Sequence, residues 1–164
     1  MSVTVNVPNE SVRIVDANDL ERVVAIDRAH TGHSRRRFFE KRFAAAAAHP
    51  DDFVQIGLMQ GGSLRGFALA RLLRGEFGRE DVVAVLDVFG VEPESQDRGV
   101  GQTLIDRLVE IMKQRGARSI HSQASWASHH LLRFFDAAGL RLSPRIVLDR
   151  SVAEPLAEPV EEPL

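Results

Sequence analysis

The period of hydrophobic and polar positions changes several times along the chain and predicts alternating strands and helices. Apolar runs rich in β-branched or aliphatic residues predict strands over 11–15, 53–59, 64–73, 82–91 and 118–124. Apolar residues at helical spacing predict helices over 16–27, 35–48, 102–115 and 129–138. Residues 140–152 are predicted to form one or two further strands. This order favours the α/β (α+β) class, with a mixed sheet and helices on both of its faces.

Composition indicates one folded domain with a distinct end. The chain has 164 residues, of which 44% are hydrophobic and 27% charged, as is usual for soluble globular proteins. We predict a single domain over 1–152 and an acidic, proline-rich tail over 153–164. Proline at the spacing found in the tail excludes a helix there. Two interpretations of the tail stay open: a solvated end, or an extended arm that lies on a neighbouring subunit.

Charge and residue usage exclude several classes of function. Lys and Arg number 21 and Asp and Glu 23, and the resulting net charge of −2 offers no basic face for nucleic acid. The absence of cysteine excludes disulfides, thiolate metal sites and a cysteine nucleophile. There is no signal-peptide pattern and no apolar run of about 20 residues, so we expect a cytoplasmic protein with no membrane partner.

The segment between the strand at 82–91 and the following helix carries the most informative motif. A turn at Pro93 leads into a loop that contains Arg98, Gly99 and Gly101 and opens directly into the helix. Free N–H groups at a helix start, together with the helix dipole, bind phosphate. The two glycines are expected to let an anion approach the backbone, and Arg98 adds a charged donor.

Two common phosphate loops do not fit this segment. A Walker A loop requires Gly-Lys-Ser/Thr, whereas Gly101 is followed by Gln102 and Thr103. A dinucleotide fingerprint that starts at Gly99 requires a third glycine at the position of Leu104. The phosphate loop therefore belongs to neither class.

The remaining pattern resembles the pyrophosphate loop of the Gcn5-related N-acetyltransferase (GNAT) superfamily, with Gln96, Gly99 and Gly101 at its defined positions. The resemblance extends over about residues 11–150. Phe135, four residues before a glycine, stands where the family usually has a tyrosine. Ser128 stands where an asparagine is common.

The resemblance implies a mostly antiparallel mixed sheet whose fourth and fifth strands splay apart to admit the pantetheine arm of an acyl-CoA. Gly90 is suited to a bulge that would open this gap, and backbone N–H groups over 89–91 would stabilise the oxyanion. The residues that the resemblance implies for cofactor binding are Phe89, Gly90, Val91, Gln96, Asp97, Arg98, Gly99, Val100, Gly101, Gln102, Ser128, Leu131 and Phe135.

Acetyl transfer to an amine needs a base, an oxyanion donor and a route for the leaving thiolate. Asp87 is the first candidate base, acting through water, with a solvent-facing strand acid as the alternative interpretation. His121 is the second candidate. The chain contains no tyrosine, so the family's usual general acid is missing. Ser125, Ser128, His129 or a water molecule could substitute for it.

Other conspicuous side chains have plainer interpretations. The run Arg35–Arg37 either attracts an acidic substrate or forms a solvated helix face. Phe38, Phe39 and Phe43 favour a core, although one of them could line an amine pocket. Trp126 is expected to pack at the mouth of the fifth strand. Adjacent His129 and His130 lack the spacing of metal ligands, and no metal is expected.

The sequence thus predicts an N-acyltransferase that moves an acetyl group from acetyl-CoA, or another acyl-CoA, to an amine of a small molecule or a protein. The alternative is a non-catalytic acyl-CoA-binding or regulatory module, which the missing tyrosine favours. A homodimer is expected, because a strand over 145–152 would leave an edge to cover.

Overall fold

One mixed sheet organises residues 10–152, the part of the chain that the computed structural model describes. Its strands, in spatial order, are β1 (Glu10–Ile14), β2 (Phe53–Gln60), β3 (Ser63–Arg74), β4 (Val82–Val91) and β5 (Ala117–Ser122). The first four pair in antiparallel fashion, and β4 pairs with β5 in parallel. The helices are α1 (Leu20–Thr31), α2 (Arg36–Ala48), α3 (Val100–Gln114) and α4 (His129–Ala137).

Helices cover both faces of the sheet, as predicted. On one face, α3 and α4 pack on an apolar cluster that includes Leu104, Leu108 and Phe135. On the other face, α1 and α2 contribute Ile26 and Phe39 to a second cluster. None of the helices within 10–152 is long and apolar enough to cross a membrane.

The short 3-10 turn Ala17–Asp19 that leads into α1 follows from local sequence. Asp16 accepts a hydrogen bond from the backbone N–H of Asn18 (2.8 Å), and Asp19 accepts one from the N–H of Asp16 (3.1 Å). This reciprocal cap satisfies N–H groups that the first turn of a helix leaves unpaired. Gly32, with φ of +75°, ends the helix in the left-handed conformation that glycine adopts without strain.

β4 and β5 separate before β4 ends. Their parallel pairing stops where Leu86 lies opposite Ser122, whereas β4 continues to Val91. Beyond Leu86, the side of β4 that faces away from β3 therefore has no strand partner among the described residues. This is the splayed arrangement that the resemblance predicts.

The bulge in β4 lies at Asp87, so the prediction that Gly90 forms it is wrong. Leu86 and Val88 lie opposite consecutive residues of β3, which leaves Asp87 as the extra residue. Gly90 pairs regularly with Phe67. A Cβ at position 90 would lie 2.9 Å from the Phe67 ring, so glycine is needed here for packing.

The strands predicted over 140–152 are also absent from the described structure. This segment forms no ladder, and Leu142, Ile146 and Leu148 are more than four-fifths exposed. Apolar character alone does not form a strand, because a strand needs a neighbour for its backbone hydrogen bonds. The predicted tail over 153–164 lies outside the described residues.

Candidate functional site

The start of α3 presents an uncapped set of backbone donors. Gly99, with φ of +83°, precedes the helix, and no side chain caps it. The N–H of Thr103 donates to the Gly99 carbonyl (3.0 Å), so the N–H groups of Val100, Gly101 and Gln102 precede the first intrahelical bond. Arg98 is exposed and has no partner among the described residues. Unpaired backbone donors at a helix start, with a guanidinium beside them, are the arrangement that typically binds an anion.

The two loop glycines have different structural roles. A Cβ at position 99 would meet nothing within 4 Å, so Gly99 is required for its backbone conformation. A Cβ at position 101 would lie 2.8 Å from the Phe134 ring. Gly101 therefore lets α4 approach α3, a different requirement from the anion access that the sequence suggested for it.

Glu92 fixes the base of this loop. Its carboxylate accepts hydrogen bonds from Arg65 on β3 (2.7 Å), from Ser95 (3.1 Å) and from Arg22 on α1. Burial alone would raise the pKa of Glu92, but these three donors outweigh it and hold the pKa below the ordinary 4.5. No local pattern predicts this contact, since Arg22 and Glu92 are 70 residues apart.

Aromatic rings lie beside the gap between β4 and β5. Phe89 stacks on Phe134 with ring centroids 4.9 Å apart, and Phe135 packs against both. Leu131 joins the same apolar cluster. Phe135, which stands at the position of the family's tyrosine, is buried. The acyl-CoA residues predicted on β4 and α4 are thus brought together at one end of the sheet.

Asp87, the first candidate base, is held between two arginines on the face that α1 and α2 cover. Arg42 Nη2 lies 2.9 Å from Oδ2, and Arg71 Nε lies 3.2 Å from both carboxylate oxygens. Only 14% of the side chain is exposed. Both oxygens already accept charged hydrogen bonds, so Asp87 is not the solvent-facing acid of the alternative interpretation.

His121, the second candidate, has different surroundings. It lies on β5 opposite Val85, with Ser119 Oγ 3.2 Å and Arg145 Nη1 3.3 Å from its ring nitrogens. Burial and then the charge of Arg145 lower its pKa below the ordinary 6.5. A histidine with a lowered pKa is neutral at neutral pH and can accept a proton.

Ser128 precedes α4 and keeps its hydroxyl available. Its backbone carbonyl accepts from the N–H of Leu132 (3.0 Å), while its side chain forms no cap. Trp126, in the same connection, is 79% exposed, so the prediction that it packs at the mouth of β5 is wrong. Residues 10–152 contain no group of three His, Asp or Glu side chains placed to hold a metal ion.

The aromatic and basic residues of α2 divide between core and surface. Phe39 and Phe43 are buried, whereas Phe38 is 37% exposed. The guanidinium groups of Arg35 and Arg42 lie 5.5 and 5.6 Å from the centre of the Phe38 ring. Phe38 is therefore fixed between two cations at the edge of the face that bears Asp87.

Most of the chain matches one protein family. Residues 18–139 match the model described as the Acetyltransferase (GNAT) family. Because this match spans more than half of the chain, the protein belongs to that family. No curated protein sequence gives a significant match.

Solved structures with the same fold share little sequence with this chain. The aminoglycoside N-acetyltransferase AAC(6')-Iy in complex with CoA aligns with a TM-score of 0.76 and 20% identity, covering 89% of this chain and 99% of its own. An aminoglycoside acetyltransferase from an uncultured soil metagenomic sample, in complex with sisomicin, aligns at 0.68 and 15%, covering 87% and 95%. Glucosamine-6-phosphate N-acetyltransferase from Arabidopsis thaliana aligns at 0.67 and 15%, covering 88% and 99%.

Proposed function

We propose that the protein is an N-acyltransferase that moves an acetyl group from acetyl-CoA to a primary amine by direct attack. The observation that carries this proposal is the uncapped start of α3, with Arg98 beside it, at the end of the gap between β4 and β5. The loop suits a pyrophosphate, and the gap suits an extended arm. Membership of the GNAT family supports the same chemistry.

In the proposed reaction the amine nitrogen bonds to the thioester carbon and the carbon–sulfur bond breaks. The amine proton passes to a base, and the electron pair of the broken bond leaves with sulfur as a thiolate. Backbone N–H groups of β4 over 89–91 are the proposed donors to the oxyanion, and the acceptor enters from the face that bears Asp87.

The contacts favour His121 over Asp87 as the proton acceptor. Asp87 would have to give up a charged hydrogen bond to Arg42 or Arg71 before it could take a proton. His121 is held less tightly, because Arg145, the charged side chain in contact with it, lies 3.3 Å away, and its lowered pKa leaves the imidazole unprotonated. We assign Asp87 the task of positioning the two arginines.

This assignment predicts the pH dependence of kcat/KM. Since the folded pKa of His121 lies below 6.5, activity should fall only below that value, as the imidazole gains its proton. His121→Asn should lower kcat/KM about a hundredfold or more and remove this acid limb, while exposed His49→Asn should retain it. An acid limb that persists in His121→Asn and disappears in Asp87→Asn would transfer the role to Asp87.

The departing thiolate has no phenol to protonate it, because the chain contains no tyrosine. A thiol pKa near 8.5 makes the thiolate a fair leaving group by itself. Phe135→Tyr places a hydroxyl at the family's acid position, and we expect it to raise thiol release several-fold with an active amine. Unchanged or slower turnover would mean that Ser128 or water already serves as the acid. Background release from both proteins across a broad amine panel would favour the regulatory module.

Binding of CoA tests the proposal directly. Gly99 and Gly116 flank α3 with φ of +83° and +82°, and a Cβ at either would meet nothing within 4 Å. Gly99→Val and Gly116→Val therefore impose the same backbone strain at opposite ends of one helix. We expect calorimetry to show CoA affinity reduced about tenfold or more by Gly99→Val and unchanged by Gly116→Val.

Arg98→Gln gives a second variant that leaves the loop backbone intact, and it should also weaken CoA binding. Equal affinities in wild type, folded Gly99→Val and Arg98→Gln would contradict a pyrophosphate site at this loop.

We further propose that the protein forms a homodimer through β5 and residues 140–152. Within residues 10–152 the outer edge of β5 has no strand partner, and Ile146, Val147 and Leu148 have exposed apolar side chains. The contact between Arg145 and His121 brings this segment close to β5. A second copy would supply the strand neighbour that the single chain lacks.

Light scattering tests the dimer. We expect wild type at twice 18.2 kDa and the double variant Ile146→Glu, Leu148→Glu at 18.2 kDa. Val109→Glu replaces another exposed apolar residue, on α3, and should leave the mass unchanged. Wild type at 18.2 kDa at tens of micromolar would exclude the dimer.

A further inference from the structure

Arg71 presents an unused pair of donors on the face that bears Asp87. Its Nε contacts both oxygens of Asp87 at 3.2 Å, whereas its two terminal amino groups have no partner among the described residues. The side chain is 44% exposed. A guanidinium fixed through Nε keeps a planar edge of N–H donors free, and that edge matches a carboxylate or a phosphate.

The neighbouring arginines are already engaged. Arg42 is 12% exposed, pairs with Asp87 and lies over the rings of Phe38 and Phe53. Arg74 pairs with Asp52 at 2.6 Å. Two arginines share the single carboxylate of Asp87, which leaves one positive charge at this point of the sheet. Arg74 is also exposed, at 51%, but its charge is balanced by Asp52, whereas Arg71 is 44% exposed and shares the charge of Asp87 with Arg42.

An open cleft of about 350 Å³ lies against Arg71, with Phe53, Asp52, Arg74 and Glu76 in its lining. Asp52 is neutralised by Arg74. Glu76 has no arginine partner in the described part of the chain. The cleft thus offers one unpaired guanidinium edge and one unpaired carboxylate. An amine that also bears an acidic group carries the complementary pair of charges.

We infer that the acceptor is such an amine, and that the terminal amino groups of Arg71 bind its carboxylate or phosphate. This inference rests on the proposed function. A polycation such as an aminoglycoside fits less well, because Asp87 and Asp52 are both occupied by arginines and, among the residues that line the cleft, Glu76 alone is left to receive ammonium groups. Asp87, at the bulge, holds Arg71 next to the point where β4 and β5 separate.

The first experiment measures anion binding at Arg71 directly and does not require catalytic activity. The Nε–H signal of Arg71, identified by its loss in Arg71→Gln, is followed by NMR in CoA-saturated protein during titration with acetate, phosphate or chloride. Arg13 is a matched internal control, since it also lies on a strand, pairs with an aspartate and is 44% exposed. We expect a saturable shift of Arg71 with acetate or phosphate, little with chloride at equal ionic strength, and none at Arg13.

Comparison of the acetate and phosphate titrations shows whether Arg71 prefers a carboxylate or a phosphate. An Arg71 signal that acetate and phosphate leave unmoved would overturn the inference. Failure of CoA to saturate the protein would count against the proposed function instead, and the anion titration would still report on Arg71.

The second experiment compares amines with and without the acidic group. Thiol release is measured with lysine against 1,5-diaminopentane, with glucosamine 6-phosphate against glucosamine, and with sisomicin. We expect kcat/KM about tenfold to a hundredfold higher for at least one anion-bearing partner. Arg71→Gln should abolish this preference through KM, whereas Arg13→Gln should keep it. Equal rates within both pairs, or faster turnover of sisomicin, would overturn the inference.

Discussion

The separation of β4 from β5 is the feature on which the candidate site depends. An extra residue at Asp87 turns β4 away at the point where the parallel pairing ends. The hydroxyl of Ser122 donates to the Leu86 carbonyl (3.0 Å) and closes the last paired position. Because the pairing with β5 stops there, the backbone N–H and C=O groups of β4 beyond Leu86 that point away from β3 form no hydrogen bonds to a strand in the described structure.

Two carboxylates hold the far half of β4, and each is shared by two arginines. Glu92 joins β3, α1 and the loop before α3, whereas Asp87 joins β3 and α2. Removing either carboxylate would leave two arginines without their counter-charge, so these clusters fix geometry more than they add net stability. The loop proposed to bind CoA and the face proposed to bind the acceptor amine are thus both attached to the same end of β4, each through a carboxylate shared by two arginines.

The sequence predicts those parts of this architecture whose signals are local. Helical spacing locates α3, and the loop glycines locate its uncapped start, because caps and periodicity involve residues a few positions apart. The bulge at Asp87 and the arginine partners of Glu92 depend on residues 16 to 70 positions away, which no local pattern reports. The exposure of Trp126 is likewise not a local property, since burial depends on which residues pack nearby.

Residues 140–152 connect the proposed dimer with the proposed chemistry. Their apolar side chains lack a covering surface within the described chain, while Arg145 in the same segment contributes to the lowered pKa of His121. A second copy that paired with this segment would either keep Arg145 beside the imidazole or draw it away. Burial of His121 lowers its pKa more than Arg145 does. Dimer formation would therefore change the pKa of this proposed base but would not be the main reason that the pKa is low. If the proposed dimer forms through this segment, the state of association and the protonation of His121 would be physically linked.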